Sequence, residues 1–464
     1  MSLPTSLTEN FEISGTWWLS ENPENRILGT IKVSHKKITL ELEGSFEQIS
    51  GFQSPPYRPI ILGELRNEMD ATLFQCSFIS LIGGLRHQNV TYVIGYLFLG
   101  CHFINEESIT FNRISLKFSK LDSWIQIHGF NATDTDGLFS ISYTPPETIT
   151  VEINENLSLS IFFGVSHSIS TSSKREETIS QSISIQLATN NEFNFFEFLK
   201  LIQHLRNFLS LGIMGPEYIT SMTGFSNEFL EGSEESRIER SIFIYYAQGD
   251  LPDTSFVNET NMLFTFRQIQ NNFETYIRKW FERIETFEMV GNVYFGTMYN
   301  SNSYLHEKFL SIVSALESFH RIFRDGTIWD NEHFEAIKTK LVESVAAEDR
   351  EEIRTRFRYA NEPYLRRRLR SIIDEFQFFL GNESGFNASF IGLVVDTRNY
   401  YTHYDLELRN NIIENQRLPR FIARLRILME AAFLSELGFE QETIANLMRR
   451  SMIQKRIPAQ RSST

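Results

Sequence analysis

The sequence predicts a multidomain α+β protein with a β-rich N-terminal domain (sandwich- or barrel-like), a mixed, mainly helical middle region and a C-terminal all-α four-helix bundle. Three observations carry this prediction. Apolar and polar residues alternate through residues 1–190, the period changes near Asn191, and from residue 301 onward apolar residues recur every three or four positions. The length of 464 residues also suits two to four domains.

Residues 1–190 show the two-residue period of β-strands. Ile114, Leu116 and Phe118 alternate with polar neighbours, and two alternating runs at 149–153 and 157–163 flank a turn-forming Asn-Glu-Asn segment. The second pattern predicts a hairpin. We therefore expect a β-sandwich or an open barrel in this domain.

Residues 191–300 are predicted to form a mixed connecting region. An apolar-rich helix is expected over 195–211 with Gly212 as its stop, followed by a strand over 242–247 and one long aromatic helix over 263–287. The sequence does not indicate whether this region senses a signal, links two domains or dimerises.

Residues 301–445 are predicted to form the bundle, and residues 446–464 a flexible basic tail. Pro419 suits the start of the last main helix and Gly438 its end, while Asp330 suits the cap of an additional helix. Four stripes at helical spacing define the main helices: Leu305, Phe309, Ile312, Leu316 and Phe319; Leu365, Leu369, Ile372, Phe376 and Phe379; Phe386, Phe390, Leu393 and Thr397; and Phe421, Leu425, Leu428 and Ala432.

Composition points to a cytoplasmic protein. Two cysteines cannot supply a disulfide framework for so long a chain. The first residues lack the basic and apolar segments of a signal peptide, and the longest apolar run, about 15 residues over 90–104, is shorter than a membrane helix. The net charge of −14 excludes a protein that coats nucleic acid along its whole surface.

The charge is nevertheless uneven along the chain. Residues 351–464 carry 18 basic and 14 acidic side chains, and 17 of the basic ones are Arg. Arginine presents a planar fork of donors that suits phosphate, so this end could bind an anionic ligand. Ordinary solvated faces of a helical bundle would give the same composition, and charge alone does not decide between the two.

The third main helix ends in Arg398-Asn399-Tyr400-Tyr401-Thr402-His403. Five residues on an ideal helix leave Arg398 and His403 about 140° apart, so a joint role requires the helix to end there or a second protomer to contribute. From the residues alone, surface charge and a capping or core histidine explain this pair better than a catalytic site does.

A family resemblance bears on that choice. Arg-x4-His at the end of a bundle helix, with a polar residue after the Arg, resembles the signature of HEPN domains, and Ala315 to Arg321 resembles the segment that carries an acidic residue in many of them. The N-terminal stretch resembles the β-rich domain that precedes a C-terminal HEPN domain in ApeA-type abortive-infection proteins. The residues that carry this second resemblance are Phe11, Gly15, Trp17, Trp18, Gly29, Ile31, Leu40, Leu42 and Gly44.

The resemblance implies a metal-independent endoribonuclease of anti-phage defence, with RNA as substrate and neither metal nor cofactor. His403 would act as base or acid, Arg398 would hold the phosphate, and Asn399 would position the Arg or a phosphate oxygen. Glu317 and Tyr401 are second-tier candidates for orienting the histidine, and a structural role for each is also open. The HEPN toxins that are themselves modified with nucleotides resemble Arg-x4-His-x-Tyr. This chain has Asp405 at the last position and Tyr404 directly after the histidine, which disfavours that variant.

Other chemistries find less support in the sequence. The remaining histidines lack zinc-ligand spacing, and we find neither a phosphate-binding Gly-rich loop nor a nucleophile elbow. Asp330, Glu335 and Lys338 loosely resemble the triad of a metal nuclease, but the period around them is helical. Trp17-Trp18 could stack on a base or sugar, but buried sheet aromatics explain the pair better.

Two hypotheses of different classes follow. The first is a ribonuclease effector that is restrained or triggered by the N-terminal domain, responds to a phage-derived signal, and works as a homodimer or higher oligomer through the bundle. The second is a non-catalytic binding module that recognises a nucleotide, RNA or protein partner, which the acidic net charge of −14 favours.

Overall fold

The structure is a computed structural model that describes residues 5–47, 56–84, 87–135, 137–170, 176–232, 237–249, 258–300, 302–324, 326–381 and 385–455. The chain divides into two compact units. The first comprises residues 1–213 and 217–274, and the second comprises residues 214–216 and 275–464. Within the described residues, no helix combines the length and the apolar character that a membrane span requires.

The strands lie in the first unit. Over its described residues they are β1 Phe11–Leu19, β2 Asn22–Val33, β3 Ile38–Leu42, β4 Arg58–Leu65, β5 Asp70–Gly84, β6 His87–Leu99, β7 Thr110–Phe118, β8 Phe130–Thr135, β9 Leu138–Tyr143, β10 Ile149–Asn154, β11 Leu157–Ser170, β12 Glu176–Asn194, β13 Ile219–Phe225, β14 Leu230–Glu231, β15 Ile238–Glu239 and β16 Ile242–Tyr246.

Six consecutive strands close into a barrel. The order β6-β3-β2-β1-β4-β5 returns to β6, because β5 pairs with β6 along almost its whole length. The remaining strands continue from β6 as an open sheet in the order β16-β13-β7-β12-β11-β10, while β8–β9 and β14–β15 form two small separate sheets. The barrel-like prediction for the N-terminal domain is confirmed.

Strand β6 belongs to both the barrel and the open sheet. On one side its first half, Val90 to Ile94, pairs with β3, and its second half, Tyr96 to Leu99, pairs with β16. One edge of a single strand is therefore divided between two partners, and the two sheets share a continuous hydrogen-bonded ladder at this strand.

The two adjacent tryptophans of β1 are part of the packed interior. Trp17 is fully buried, its indole N–H donates to the Gly29 carbonyl at 3.2 Å, and a Cβ on Gly63 would run into its ring. Trp18 is 6% exposed and carries the Arg26 guanidinium 4.2 Å above its ring. Because both rings are covered, the buried-aromatic interpretation is confirmed over a base-stacking platform.

The helices in the described residues are α1 Leu121–Ile125, α2 Phe195–Ile213, α3 Phe266–Ile269, α4 Phe273–Glu282, α5 Ile284–Tyr299, α6 Leu305–Phe323, α7 Asn331–Ser344, α8 Arg350–Arg356, α9 Leu365–Glu375, α10 Gln377–Leu380, α11 Ala388–His403, α12 Leu418–Leu437 and α13 Gln441–Gln454. In the second unit α6, α9, α11 and α12 correspond to the four predicted stripes, except that Phe376 and Phe379 lie beyond α9 and Phe386 precedes α11. Helix α6 packs against the other three. Their apolar faces form the bundle core.

The middle region differs from its prediction in two respects. β12 runs through the expected boundary at residue 190, and residues 217–274 belong to the first compact unit, where β13 and β16 extend its sheet. The expected long aromatic helix over 263–287 is wrong in detail. Thr265 caps a new start at Phe266, and non-helical backbone at Arg283 separates α4 from α5.

The end of the chain also differs from its prediction. Helix α12 stops at Gly438, whose φ of +86° is accessible without strain to glycine, as expected. A further helix, α13, then covers residues 441–454, so the described part of the predicted flexible tail is helical. Residues 456–464 lie outside the described residues.

Candidate active site

Helix α11 places the predicted Arg and His residues. The Asn387 side chain caps its start by accepting from the Phe390 N–H at 3.0 Å, and Phe390, Ile391, Val394 and Thr397 face the core. The helix ends at His403, since Tyr404 takes a left-handed conformation (φ +50°) and donates its N–H to the Tyr400 carbonyl at 2.6 Å. For Arg398 and His403 to act together, the sequence required either a second protomer or a helix that ends at this histidine. The helix does end there.

The segment after the helix is fixed to it by buried and exposed polar contacts. The hydroxyl of fully buried Thr397 accepts from the N–H of Ile413, also fully buried, at 2.8 Å. Asp405 accepts from the Glu407 N–H at 3.0 Å and starts a 3-10 helix over Leu406–Asn411. The chain around His403 is thereby held at a defined position relative to α11.

Arg398 is held from two sides. Its Nη1 donates to Asn399 Oδ1 at 3.0 Å, and its Nη2 donates to Glu317 Oε2 at 3.4 Å. Glu317 lies on α6, so the contact joins two bundle helices. The side chains of Arg398 and Glu317 are 32% and 23% exposed, respectively, which leaves the guanidinium accessible to a ligand. The structure thus brings together three of the five predicted site residues.

His403 is exposed at the C-terminal end of α11. Five residues along a helix correspond to about 7.5 Å of axial rise and about 140° of rotation, so the imidazole and the Arg398 guanidinium leave the helix in different directions. An exposed imidazole can supply proton transfer, and an accessible guanidinium can supply phosphate binding.

Tyr401 has contacts other than the predicted ones. Its hydroxyl donates to Asn415 Oδ1 at 3.4 Å, and its ring lies nearly parallel to the His306 ring, with centroids 5.3 Å apart. These contacts direct Tyr401 towards the start of α6, so the predicted role of orienting His403 finds no contact to support it.

A buried arginine next to the site was missed by the sequence analysis. Arg368 on α9 is 3% exposed, donates to Glu362 at 3.0 Å and lies 3.4 Å from His320 Nδ1. Burial, followed by the charge of Arg321, lowers the pKa of Arg368, while Glu317 and Glu362 act in the opposite direction. Burial and then Arg368 also lower the pKa of His320. The sequence spacing does indicate a core-facing arginine, because Arg368 lies three residues after Leu365 on the same side of the helix.

The loose metal-nuclease triad has a structural explanation. Asp330 caps α7 by accepting from the His333 N–H at 2.9 Å, and Lys338 pairs with Glu335 at 2.9 Å on the helix surface. In the part of the chain that the structure describes, no group of three or more His, Cys, Asp or Glu side chains is arranged to hold a metal ion.

A closed β-barrel with its open sheet, followed by a helical bundle whose third helix ends in Arg-Asn-x3-His, defines the class of HEPN-domain proteins with a β-rich N-terminal domain. Residues 12–280 match the family model of ApeA N-terminal domain 1, and residues 310–443 match that of the Apea-like HEPN domain. The chain belongs to the ApeA-type HEPN proteins, an anti-phage, abortive-infection family whose HEPN domains are generally nucleases. Neither a curated protein nor a solved structure matches the chain.

Proposed function

We propose that this protein is a metal-independent endoribonuclease of anti-phage defence that acts on RNA in the cytosol. The observation that carries the proposal is the arrangement at the end of α11, where Arg398 is held by Asn399 and Glu317 on the same helix as an exposed, terminal His403. RNA cleavage requires proton transfer and phosphate binding, and these residues lie in the part of the chain that matches the Apea-like HEPN domain.

The chemistry uses the nucleophile that RNA carries. A base removes the proton from the 2′-hydroxyl, the oxygen attacks the adjacent phosphorus, the bond to the 5′-oxygen breaks, and an acid protonates that leaving oxygen. His403 serves as base or acid, Arg398 binds the non-bridging phosphate oxygens, and Asn399 and Glu317 fix the guanidinium. The products are a 2′,3′-cyclic phosphate and a 5′-hydroxyl.

Regulation is assigned to the first unit. An unrestrained ribonuclease would damage the RNA of its own cell, so the β-rich domain restrains the bundle until a phage-derived component is present. The observation that supports this assignment is the match of residues 12–280 to a family domain that is distinct from the HEPN domain.

The test is cleavage of total cellular RNA by the purified full-length protein in excess EDTA, followed by sequencing of the RNA ends. We expect fragments with 2′,3′-cyclic phosphate and 5′-hydroxyl ends from the parent protein and from His333→Ala, and none from His403→Ala. His333 is a matched control because it is also exposed and its N–H, not its ring, donates to Asp330.

Two outcomes would contradict the proposal. Products with a 5′-phosphate, or cleavage only with added Mg²⁺, would indicate a metal-dependent nuclease. Retention of RNA without cleavage, together with equal phage protection by the parent and by His403→Ala, would favour a non-catalytic binding module, the function that the net charge of −14 suits.

A further inference from the structure

Five aromatic rings form a continuous series next to the proposed catalytic residues. Tyr304 stacks on His306 with centroids 5.6 Å apart, and His306 stacks on Tyr401 at 5.3 Å. Tyr401 meets Tyr400 edge-on at 5.3 Å, and Tyr400 lies 6.1 Å from Tyr404. We call Tyr304, His306, Tyr401, Tyr400 and Tyr404 the aromatic ladder.

The two ends of the aromatic ladder are open to solvent. Tyr304 is 71% exposed and Tyr404 is 68% exposed, whereas His306, Tyr400 and Tyr401 are half-buried between them. One face of the Tyr304 ring rests on His306 at an interplanar angle of 18°. Its exposure leaves the other face available, so a further flat ring can extend the stack.

The position of the aromatic ladder relates it to the proposed site. Tyr401 follows Arg398 by one helical turn, about 4.5 Å along the axis and on the same side of α11. Tyr400 and Tyr404 flank His403 in sequence, and Tyr400 lies one turn before it. The ladder therefore passes both the group proposed to bind the phosphate and the group proposed to move the proton.

The charges around Tyr304 do not select for a phosphate. Glu307 accepts the Tyr304 N–H at 3.1 Å, so the carboxylate beside Tyr304 caps the start of α6. The Tyr304 end of the aromatic ladder therefore suits a ligand group that binds through a flat face more than one that binds through a negative charge. Bases have such a face, and stacking on aromatic side chains is how proteins bind unpaired nucleotides.

We propose that the aromatic ladder is a stacking subsite for an unpaired RNA base next to the phosphate that is cleaved, with Tyr304 as the residue that contacts the base. This rests on the proposed function and narrows its substrate class to single-stranded RNA. A duplex keeps its bases stacked on one another and cannot extend the ladder.

The test measures binding of a short single-stranded RNA that carries 2-aminopurine, using the full-length protein with His403→Ala to prevent cleavage. Stacking quenches the fluorescence of 2-aminopurine. We expect Tyr304→Ala to lose the quenching and to raise the Kd by about 5- to 150-fold, the range for loss of one aromatic–base stack. Tyr304→Phe should behave as the parent.

The controls separate stacking from other roles. His306→Phe keeps a flat ring without a titrating group and should bind as the parent, whereas His306→Ala should weaken binding. Tyr359→Ala removes another exposed tyrosine of the second unit and should have no effect. With an abasic RNA of equal length, Tyr304→Ala and the parent should bind equally.

The inference is overturned if Tyr304→Ala leaves the Kd and the quenching unchanged, if it weakens binding of abasic RNA to the same extent, or if duplex RNA shows the same dependence on Tyr304. These results can be told apart from failure of the proposed function. Equal kcat/KM for wild type and Tyr304→Ala on single-stranded RNA would contradict only the stacking subsite and leave the proposed ribonuclease activity intact. Quenching of 2-aminopurine without any RNA cleavage by the wild type would contradict only the proposed ribonuclease activity and leave the stacking subsite intact.

Discussion

The Arg398 guanidinium combines restraint with accessibility. Asn399 and Glu317 each accept from one of its nitrogens, and a guanidinium carries five N–H donors, so donors remain for a phosphate. With 32% of its side chain exposed, its ion pair with Glu317 contributes little to stability. The pair is better understood as positioning of the cation.

Substitution of Arg398 should separate charge from geometry. Arg398→Ala is expected to lower kcat/KM for RNA by about 10²- to 10³-fold, as loss of a single donor to developing negative charge does. Arg398→Lys keeps the charge but loses the planar fork, so we expect an intermediate loss. Single-turnover cleavage measures both, with Arg356→Ala, a 73% exposed arginine paired within its own helix, as the control. Full activity of Arg398→Lys would show that the fork is unnecessary.

Glu317 is expected to act through Arg398. Glu317→Gln removes the charge of the carboxylate but keeps its shape, and should lower kcat by about 10-fold because the guanidinium is less well oriented. In a double-mutant cycle, Glu317→Gln should have almost no further effect on Arg398→Ala. Additive losses would mean that Glu317 contributes independently, for example by acting on His403.

Glu217 in the first unit provides a pH-dependent test of stability. It is fully buried, accepts hydrogen bonds from the Ser119 hydroxyl at 3.1 Å and from the Lys120 N–H at 3.2 Å, and burial raises its pKa from 4.5 to about 7. A raised carboxyl pKa means that the folded state binds the proton more tightly. The stability contributed by the neutral acid is therefore lost as the pH rises from about 4.5 to about 7.

Glu217→Gln should abolish this dependence. We expect the variant to resemble the parent near pH 4.5 and to be more stable above pH 7, by at most about 3 kcal/mol. Thermal unfolding of the full chain at several pH values measures the difference, with exposed Glu155→Gln as the control. Parallel pH profiles for Glu217→Gln and the parent would contradict the assignment.

At the scale of secondary structure, α13 is attached to α12 by a buried ion pair. Lys455 Nζ donates to Glu430 at 2.5 Å, and Glu430, 2% exposed, also accepts from Ser451 at 3.4 Å and from Tyr294 at 3.3 Å. Burial lowers the pKa of Lys455, and Glu430 opposes this. A buried carboxylate left without its cation is costly, so the pair fixes the end of the helix.

Removal of only one partner of this pair should be worse than removal of both. Lys455→Ala leaves Glu430 buried and uncompensated, and should cost about 3–5 kcal/mol of unfolding free energy. The double variant Lys455→Met with Glu430→Gln should recover most of this loss, because the amide still bonds Tyr294 and Ser451. Denaturant unfolding of the full chain is the measurement. An equal loss in the single and double variants would place the effect in packing rather than in charge.

Much of the element pattern could be predicted from periodicity, and the failures have physical reasons. The hairpin over 149–163 and the helix from Phe195 are confirmed, since alternation and the helical period are strong over those segments. The helix predicted over 263–287 begins only at Phe266, because Thr265 and Gln268 form a capping box, and it is divided at Arg283, whose backbone is not helical. The apolar spacing on which the prediction rested does not register these local features.

The sequence predicted which residues form the candidate site but not all of the contacts that they make. Arg398, Asn399 and Glu317 do meet, whereas Tyr401 turns towards His306, a partner far away in sequence that single-sequence reasoning cannot supply. The described part of the predicted tail is helical in α13, where Met448 and Met452 are buried and Lys455 pairs with Glu430, 25 residues earlier. The spacing of residues along the sequence does not specify which distant segments come into contact.

For the whole molecule, we expect the active form to be at least a dimer formed through the bundle. One protomer offers a single His403, while cleavage uses a base and an acid, and Arg398 leaves the helix about 140° away. HEPN domains commonly dimerise, and a two-fold axis beside the end of α11 would bring two Arg398 and His403 pairs together.

Light scattering combined with activity on dilution tests this expectation. Specific activity should fall as the dimer dissociates, and a mixture of Arg398→Ala with His403→Ala chains should regain part of the activity lost in each. A strict monomer with unchanged specific activity would contradict a shared site.

The division of strand β6 has a consequence for how such proteins can be recombined. The closed barrel is built from one uninterrupted stretch, residues 11–99, so a single gene segment encodes it. Several contacts among the described residues join it to the rest of the first unit. They include the ladder from Tyr96–Leu99 to β16, the rings of Phe74, Tyr96 and Phe98 against Phe195 and Phe196 of α2, the Arg240–Asp70 ion pair, and the His35 carbonyl, which accepts from the Gln248 and Gly249 N–H groups. A chimaera that grafts another barrel would have to preserve these contacts. The barrel is thus a candidate cassette for exchange, because a graft that keeps these contacts leaves the strand order of the remaining sheet unchanged.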